Sequence, residues 1–176
     1  WVVAFASENG DNRVYNTFHA FEVSASGVNT TSKKSVFNTG VTDARGYLKL
    51  SPDGTKVACA SVQDGLYIYD FETDFGLLSN ERRIEINSRS GSSRPYGVEF
   101  SPNSQLLYIH SSNDFFDFQD PANGNNPINH TSTLTQFNLT EPDIQSTEVT
   151  LDDRQLYRGG LQLGPDGKIY RALSAS

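Results

Sequence analysis

The sequence is poor in the residues that most often build covalent links and metal sites. Its 176 residues include one cysteine, no methionine and three histidines. A single cysteine excludes an internal disulfide, and Cys59 lies in the apolar stretch 56–60, where a small buried side chain is expected. Because the histidines show no pair at zinc-ligand spacing, we expect no zinc site.

Positive charge and long apolar runs are also scarce. The chain has 14 Lys and Arg against 21 Asp and Glu, a formal net charge of −7. Nucleic-acid backbones and anionic membranes attract basic surfaces, so neither is an expected partner. No apolar run approaches the ~20 residues of a membrane-spanning helix. With 36% hydrophobic and 11% aromatic residues, the composition indicates a globular domain with a core.

The first residue is also unusual for a complete gene product. The chain opens on Trp1, inside an apolar run of strand length, and shows no signal-peptide pattern. A gene product normally begins with methionine or at a processing site. We therefore expect the sequence to be part of a longer protein.

A repeated pattern occurs in residues 46–54, 96–104 and 160–167. Each copy reads apolar, polar, apolar, small residue, proline, turn. The alternation predicts a strand, and the residues after the proline favour a tight turn into a second strand. Third strands are predicted at 66–71 and 134–139, with the same pattern at 18–23, and fourth strands at 36–37, 83–86 and 147–151.

The spacing of the repeats indicates the architecture. Pro52, Pro102 and Pro165 follow one another at intervals of 50 and 63 residues. Four short strands in a repeat of roughly 40–50 residues are typical of a β-propeller blade. The sequence therefore predicts an all-β fold, a partial β-propeller of about three and a half four-stranded blades.

The strand pattern also assigns residues to blades within this single propeller domain. Residues 1–38 are expected to supply the last three strands of one blade, and residues 160–173 the first two of another. Residues 46–87 and 96–151 are expected to form complete blades. Because a partial ring exposes apolar sheet faces, we expect it to need the rest of its ring.

The longer second interval has its extra residues at 111–130, between the second and third strands of that blade. Oxygen ligands of the kind that calcium prefers are offered by Asp114, Asp117, Asp120, Asn123 and Asn125. Their spacing is not that of an EF-hand, so a solvated acidic loop is the favoured interpretation. A third interpretation of the insertion is a recognition loop, because Phe115, Phe116 and Phe118 must pack on the domain or offer a contact surface.

The histidines do not predict catalysis. His19 and His110 lie in strand patterns where a packed side chain is expected, although His110 could face a mouth of the propeller. His130 is expected in solvent within the insertion. No Gly-x-Ser-x-Gly motif is present, so no nucleophile can be assigned.

Paired charges give no stronger signal. The acidic residues Asp152 and Asp153, and Glu81 beside two arginines, resemble charged loops rather than a glycosidase carboxyl pair. We therefore assign no catalytic, cofactor-binding or metal-binding residue, expect no cofactor, and predict that the chain is not an enzyme.

Taken together and in order, the motifs resemble a known family. Residues 46–54, 66–71, 96–102 and 160–170 are similar to the propeller region of Bacteroidetes exported proteins, the gliding-motility-associated or type IX secretion class with a type B sorting domain. The resemblance implies a secreted or cell-surface location. It also implies the other domains of the same exported protein and the secretion machinery as partners, and it supplies no catalytic residues.

These observations lead to one functional hypothesis and two alternatives. The first is a non-catalytic binding module that displays loops for contact with a protein or glycan. The second is a propeller hydrolase, a lactonase or carbohydrate-active enzyme, with catalytic residues on further blades. The third is a scaffold that only spaces other domains. Ionisable groups that converge from several blades on one mouth, with shifted pKa values, would favour an enzyme.

Overall fold

Strands account for the regular structure almost entirely. The computed structural model describes residues 1–8, 14–87, 93–113 and 126–173. The strands are β1 (Val2–Ala6), β2 (Tyr15–Phe21), β3 (Val23–Ser24), β4 (Gly27–Val28), β5 (Lys33–Val41), β6 (Leu48–Leu50), β7 (Lys56–Ser61), β8 (Gly65–Glu72), β9 (Leu77–Ile84), β10 (Arg94–Phe100), β11 (Leu106–Ser112), β12 (Ser132–Asn138), β13 (Val149–Arg154), β14 (Leu161–Leu163) and β15 (Ile169–Arg171). Two short 3-10 helices lie at Pro127–Asn129 and Ile144–Thr147.

The strands form antiparallel sheets that follow the order of the chain. The first sheet is β1-β2-β5, the second is β6-β7-β8-β9, the third is β10-β11-β12-β13 and the fourth is the pair β14-β15. A small ribbon, β3-β4, extends from the first sheet's β2–β5 connection. The prediction of an all-β fold is confirmed, and the succession of sheets is that of part of a propeller.

The outermost strands are longer than the sequence pattern indicates. β9 begins at Leu77 and β5 at Lys33, several residues before the predicted starts at 83 and 36. Between Leu78 and Ile84 every residue is at least partly exposed. Because the outer edge faces solvent, polar side chains are tolerated there and the hydrophobic alternation that marks a strand is weak.

The core consists of two apolar layers between neighbouring sheets. One layer joins the first and second sheets around Phe18 and Tyr69, and the other joins the second and third sheets around Phe100 and Leu107. β7 contributes to both, because its alternate residues point to opposite faces and both faces are covered. Its unbroken run of small apolar residues, 57–60, is the sequence signature of that double burial.

Each repeated turn is closed by its own side chains. The Ser51 hydroxyl donates to Oδ1 of Asp53 at 2.6 Å, and its oxygen accepts the backbone N–H of Lys56 at 2.9 Å. Gly54 has a φ of 73°, a left-handed conformation in which a side chain is strained. The turn also reaches the next sheet, because the N–H of Asp53 donates to Oγ of Ser104 at 3.1 Å.

A buried carboxylate joins the first strands of three sheets. Glu99 on β10 is only 4% exposed, and its Oε2 accepts from Lys49 Nζ and from the N–H of Leu163, both at 2.9 Å. Lys49 on β6 also donates to Oε1 of Gln162 on β14 at 3.0 Å. The other oxygen of Glu99 accepts the N–H of Phe100 at 3.1 Å. β6, β10 and β14 are thereby held together by one charged centre.

The Glu99→Ala substitution should destabilise the protein strongly. It removes the buried acceptor of the Lys49 ammonium group and of two backbone N–H groups, those of Leu163 and Phe100, and breaking such a pair typically costs about 3–5 kcal/mol. Urea denaturation followed by circular dichroism measures the free energy of unfolding. The matched control is Lys168→Ala, whose exposed partner is Asp166 and whose loss should leave that free energy unchanged. Equal effects of the two substitutions would contradict the role assigned to Glu99.

Candidate functional site

The connections that lead from one sheet to the next lie at one end of the sheets. In an antiparallel sheet of four strands, the connection between the second and third strands lies at the end where the fourth strand leaves for the next sheet. The connections β5–β6, β7–β8, β9–β10, β11–β12 and β13–β14 therefore share one face, which we call the loop face. The described ends of the insertion, residues 111–113 and 126–130, belong to this face, and the repeated proline turns lie at the opposite end.

Aromatic and cationic side chains meet on the loop face where β6, β10 and β14 begin. The rings of Tyr47 and Tyr96 have centroids 5.4 Å apart, and the N–H of Tyr47 donates to the carbonyl of Tyr96 at 3.0 Å. The guanidinium of Arg158 lies 5.3 Å from the Tyr96 ring centroid. A Cβ on residue 160 would lie 2.2 Å from Oη of Tyr47, so Gly160 is needed for this approach. Residues at the first strands of three sheets therefore meet at one site.

An ion pair borders the two tyrosines. Nε of Arg45 donates to Oδ1 of Asp43 at 2.9 Å and to Oδ2 at 3.1 Å. This hydrogen-bonded guanidinium lowers the pKa of Asp43, with a smaller electrostatic contribution from Arg158. We call the group Asp43, Arg45, Tyr47, Tyr96 and Arg158 the channel mouth.

A second carboxylate fixes the loop that carries Asp43. Oδ2 of Asp64 accepts the backbone N–H groups of Thr42 and Asp43, each at 2.9 Å, and the hydroxyl of Ser61 at 2.8 Å. Burial alone would raise the pKa of Asp64, but these hydrogen bonds outweigh it and lower the pKa. The connection between β5 and β6 is therefore held by an ionised group from the neighbouring connection β7–β8.

A buried polar cluster connects the third and fourth sheets near the same face. Nε2 of His110 lies 2.5 Å from Oγ of Ser132, and Nη2 of Arg171 donates to that oxygen at 2.7 Å. Arg171 also forms an ion pair with Asp152, which Arg154 contacts at 2.6 Å. Burial lowers the pKa of His110 to about 3, and the charge of Arg171 lowers it further. His110 is therefore neutral at physiological pH.

The structure corrects several expectations about individual residues. Asp152 and Asp153 lie in β13, and Glu81 lies in β9, rather than in loops. His130 is buried, with its ring 4.2 Å from that of Tyr157, rather than in solvent. The charged side chains of β9 and β13 hide their strand structure in the sequence, because these outer strands face solvent.

Two further residues, His19 and Cys59, lie in strands as the sequence predicts. His19 lies in β2 with Nδ1 3.0 Å from Oγ of Ser32. Cys59 is buried in β7, as the sequence predicts, and burial raises the pKa of its thiol to about 12. Both residues belong to the packing of their sheets.

The candidate calcium ligands Asp114, Asp117 and Asp120 lie outside the described residues. The described base of the insertion is closed by Asn113, whose Nδ2 donates to the carbonyl of Asn129 at 3.0 Å and whose Oδ1 accepts the N–H of Thr131 at 3.2 Å. Within the described ranges, no group of three or more His, Cys, Asp or Glu side chains is placed to hold a metal ion. In those same ranges, no helix has the length and apolar character needed to cross a membrane.

Comparison with known proteins identifies the fold. No protein-family profile matches the chain, and no curated protein matches it. Among solved structures, the PQQ domain of a pyranose dehydrogenase from Coprinopsis cinerea aligns with a TM-score of 0.55 at 16% identity, over 90% of this chain and 40% of that one. A hypothetical selenium-binding protein from Sulfolobus tokodaii aligns with a TM-score of 0.51 at 12% identity, over 86% and 38%.

A third similar structure is an ancestral GH74 enzyme, with a TM-score of 0.50 at 15% identity, over 94% of this chain and 22% of that one. The chain thus spans two fifths or less of these three proteins. At such identities the similarity establishes the propeller fold alone. The propeller part of the family resemblance is confirmed, whereas the Bacteroidetes export system stays a prediction.

These comparisons also correct the prediction that the chain is not an enzyme. That prediction is wrong, because structures of the same fold are named as a dehydrogenase domain and a GH74 enzyme. The absence of a sequence motif does not exclude catalysis, because one fold hosts many functions and each depends on its own site. A short local motif is not required for such a site.

The stability of the protein should fall as the pH is lowered from about 6.5 towards 3. In this range the unfolded chain binds a proton at His110 and the folded chain does not, because burial lowers the pKa of His110 to about 3. Unfolding is therefore favoured by up to about 1.4 kcal/mol per pH unit. Urea titrations at several pH values give the slope.

The control for this slope is the variant His110→Asn, which removes the titrating ring. Its stability should depend less on pH over the same interval, whatever its absolute stability. An unchanged slope in the variant would show that His110 is not the group responsible.

Proposed function

We propose that this β-propeller module binds a glycan at the channel mouth on its loop face. The observation that carries the proposal is the meeting of Tyr47, Tyr96 and Arg158, contributed by three sheets, beside the Asp43–Arg45 pair. These side chains are half-buried rather than fully covered. The site therefore combines fixed geometry with access from solvent.

The chemistry of the channel mouth suits a sugar ring. An aromatic face packs against the apolar C–H face of a sugar, and carboxylate and guanidinium groups accept and donate hydrogen bonds to its hydroxyls. Asp43 is ionised at neutral pH like an ordinary aspartate, and its hydrogen bonds with Arg45 lower its pKa further. Asp64 holds the backbone of residues 42 and 43, so the acceptor is pre-positioned and binding requires little ordering.

A propeller hydrolase is the second candidate, favoured by the convergence of ionisable groups on one face. Glycoside hydrolysis needs a carboxylic acid whose raised pKa keeps it protonated, beside a second carboxylate. Asp43, Asp64 and Asp152 all have lowered pKa values, which suits the carboxylate role. In a hydrolase built on this site, the proton donor would come from another part of the protein.

The substitution Arg158→Gln should weaken glycan binding at least about tenfold, since it removes a charge-assisted donor worth more than about 1.4 kcal/mol. The probe is a panel of soluble neutral and acidic oligosaccharides, with affinity measured by titration calorimetry. The control is Lys168→Gln, an exposed cation on the turn side of β15. Absence of binding to every oligosaccharide, or equal affinity of both variants, would contradict the proposal.

We also propose that the module belongs to a secreted or cell-surface protein and acts beside its other domains. The support is the resemblance of residues 46–54, 96–102 and 160–170 to exported propellers. Fractionation of the native cells, followed by an antibody against this module, should find it in the medium or on the cell surface. Retention with cytoplasmic marker proteins would contradict this location.

A further inference from the structure

A groove lies between the second and third sheets, at the edge of the sheets remote from the channel mouth. The channel mouth lies where the first strands β6, β10 and β14 begin, whereas the groove adjoins β13, the fourth strand of the third sheet. The groove has a volume of about 540 Å³, and its lining consists of Asn87, Glu148, Val149, Thr150 and Asp153. We call it the rim groove. Both sheets that border it have four strands, so it is a feature of two complete blades.

Hydrogen bonds between the two sheets fix the walls of the rim groove. Oε1 of Glu148 accepts the backbone N–H of Asn87 at 2.8 Å, and Oε2 of Glu148 accepts from Nδ2 of Asn87 at 3.0 Å. Gln145 makes a second connection, because its Oε1 accepts the N–H of Glu85 at 2.9 Å and its Nε2 donates to the carbonyl of Glu85 at 2.8 Å. The rim groove is therefore pre-formed, which limits the ordering that a ligand must induce.

The face of the third sheet that borders the rim groove carries buried hydroxyl groups. Thr135 on β12 pairs with Thr150 on β13, and Thr133 on β12 pairs with Ser111 on one side and Asp153 on the other. Directly opposite residues share one face of a sheet, so Thr135 and Ser111 lie on the face of the lining residues Thr150 and Asp153. Thr135 and Ser111 are fully buried, and neither hydroxyl has a hydrogen-bond partner among the described residues. Because buried polar groups are normally paired, these hydroxyls point to a polar group supplied by a ligand.

The rim groove also carries negative charge. The side-chain oxygens of Glu148 accept from the amide groups of Asn87 and Gln145. In the described part of the chain, no ion pair involves Glu148 or Asp153. Two carboxylates and neighbouring hydroxyls form a set of hydrogen-bond acceptors, which suits a cation that donates several hydrogen bonds. A metal ion is a poorer match, since the described ranges place no three His, Cys, Asp or Glu side chains together.

We infer that the rim groove binds an arginine side chain from an extended segment of a partner protein. A guanidinium group has five N–H donors in one plane, which can reach carboxylate and hydroxyl oxygens at the same time. The outer edge of β13 pairs with no described strand, so its backbone groups are available to an extended segment, as in other cases of strand addition. This site goes beyond the proposed glycan site and does not depend on it.

The test uses two labelled hexapeptides of alternating threonine and valine, each with one substituted central residue. One peptide carries arginine there, and the other carries citrulline, which has nearly the same shape and no charge. Fluorescence anisotropy with the full chain should give an affinity at least about tenfold higher for the arginine peptide, because charge-assisted hydrogen bonds are the stronger ones. The affinity for the arginine peptide should fall as the salt concentration rises.

The substitution Asp153→Asn removes one charge from the rim groove and keeps the shape of the side chain. It should weaken binding of the arginine peptide at least about fivefold and leave binding of the citrulline peptide unchanged. The matched control is Asp74→Asn, the same change at an exposed residue between β8 and β9, which should leave both affinities unchanged.

Equal affinity of the unaltered chain for the two peptides would overturn the inference, as would a lack of binding to either. Equal affinity of the Asp153→Asn and Asp74→Asn variants for the arginine peptide would overturn it as well. The variant Arg158→Gln should bind the arginine peptide like the unaltered chain, because Arg158 belongs to the channel mouth. The peptide site and the glycan site can therefore fail separately.

Discussion

The arrangement of the sheets depends on a single buried carboxylate. Glu99 receives hydrogen bonds from β6, from its own strand and from β14, and it lies where these first strands converge. A charge removed from water is costly unless its hydrogen bonds are complete. The three strands must therefore keep one relative position for the contacts with Lys49 and Leu163 to form together. The apolar layers between the sheets stabilise their packing but do not fix one alignment, because the hydrophobic effect is non-directional. The hydrogen bonds of Glu99 favour one alignment of the sheets over others that bury a similar apolar area.

That alignment has a direct consequence for the loop face. Tyr47 lies two residues before Lys49 in β6, and Tyr96 lies three residues before Glu99 in β10. The contact between Lys49 and Glu99 therefore also sets the separation of the two tyrosines at the channel mouth. Asp64 and the cluster around Ser132 hold the adjoining connections in place. Binding groups on loops are thus positioned by hydrogen bonds between sheets, which limits the ordering that a ligand must induce.

The sequence predicts much of the fold and little of the site, for physical reasons. The repeated pattern around Pro52, Pro102 and Pro165 marks first and second strands, because burial demands apolar residues at alternating positions. The length of β9 was missed because its outer edge is solvated. The contact of Arg171 with Ser132 joins residues 39 positions apart, and nothing in the local sequence of either residue indicates it. In the sequence Asp64 resembles an ordinary turn residue, and only the structure shows that it accepts the backbone N–H groups of residues 42 and 43.

The hydrogen bond from Asp53 to Ser104 couples one repeated turn to the next. A turn whose donor is satisfied only by its successor is not a self-sufficient unit, and β7 likewise completes its burial only between two neighbours. Such nearest-neighbour coupling makes the chain behave like a row of interlocked units. Loss of order should then travel from an end of the row inwards, one repeat after another, with the second and third sheets, each held on both sides, as the last to open.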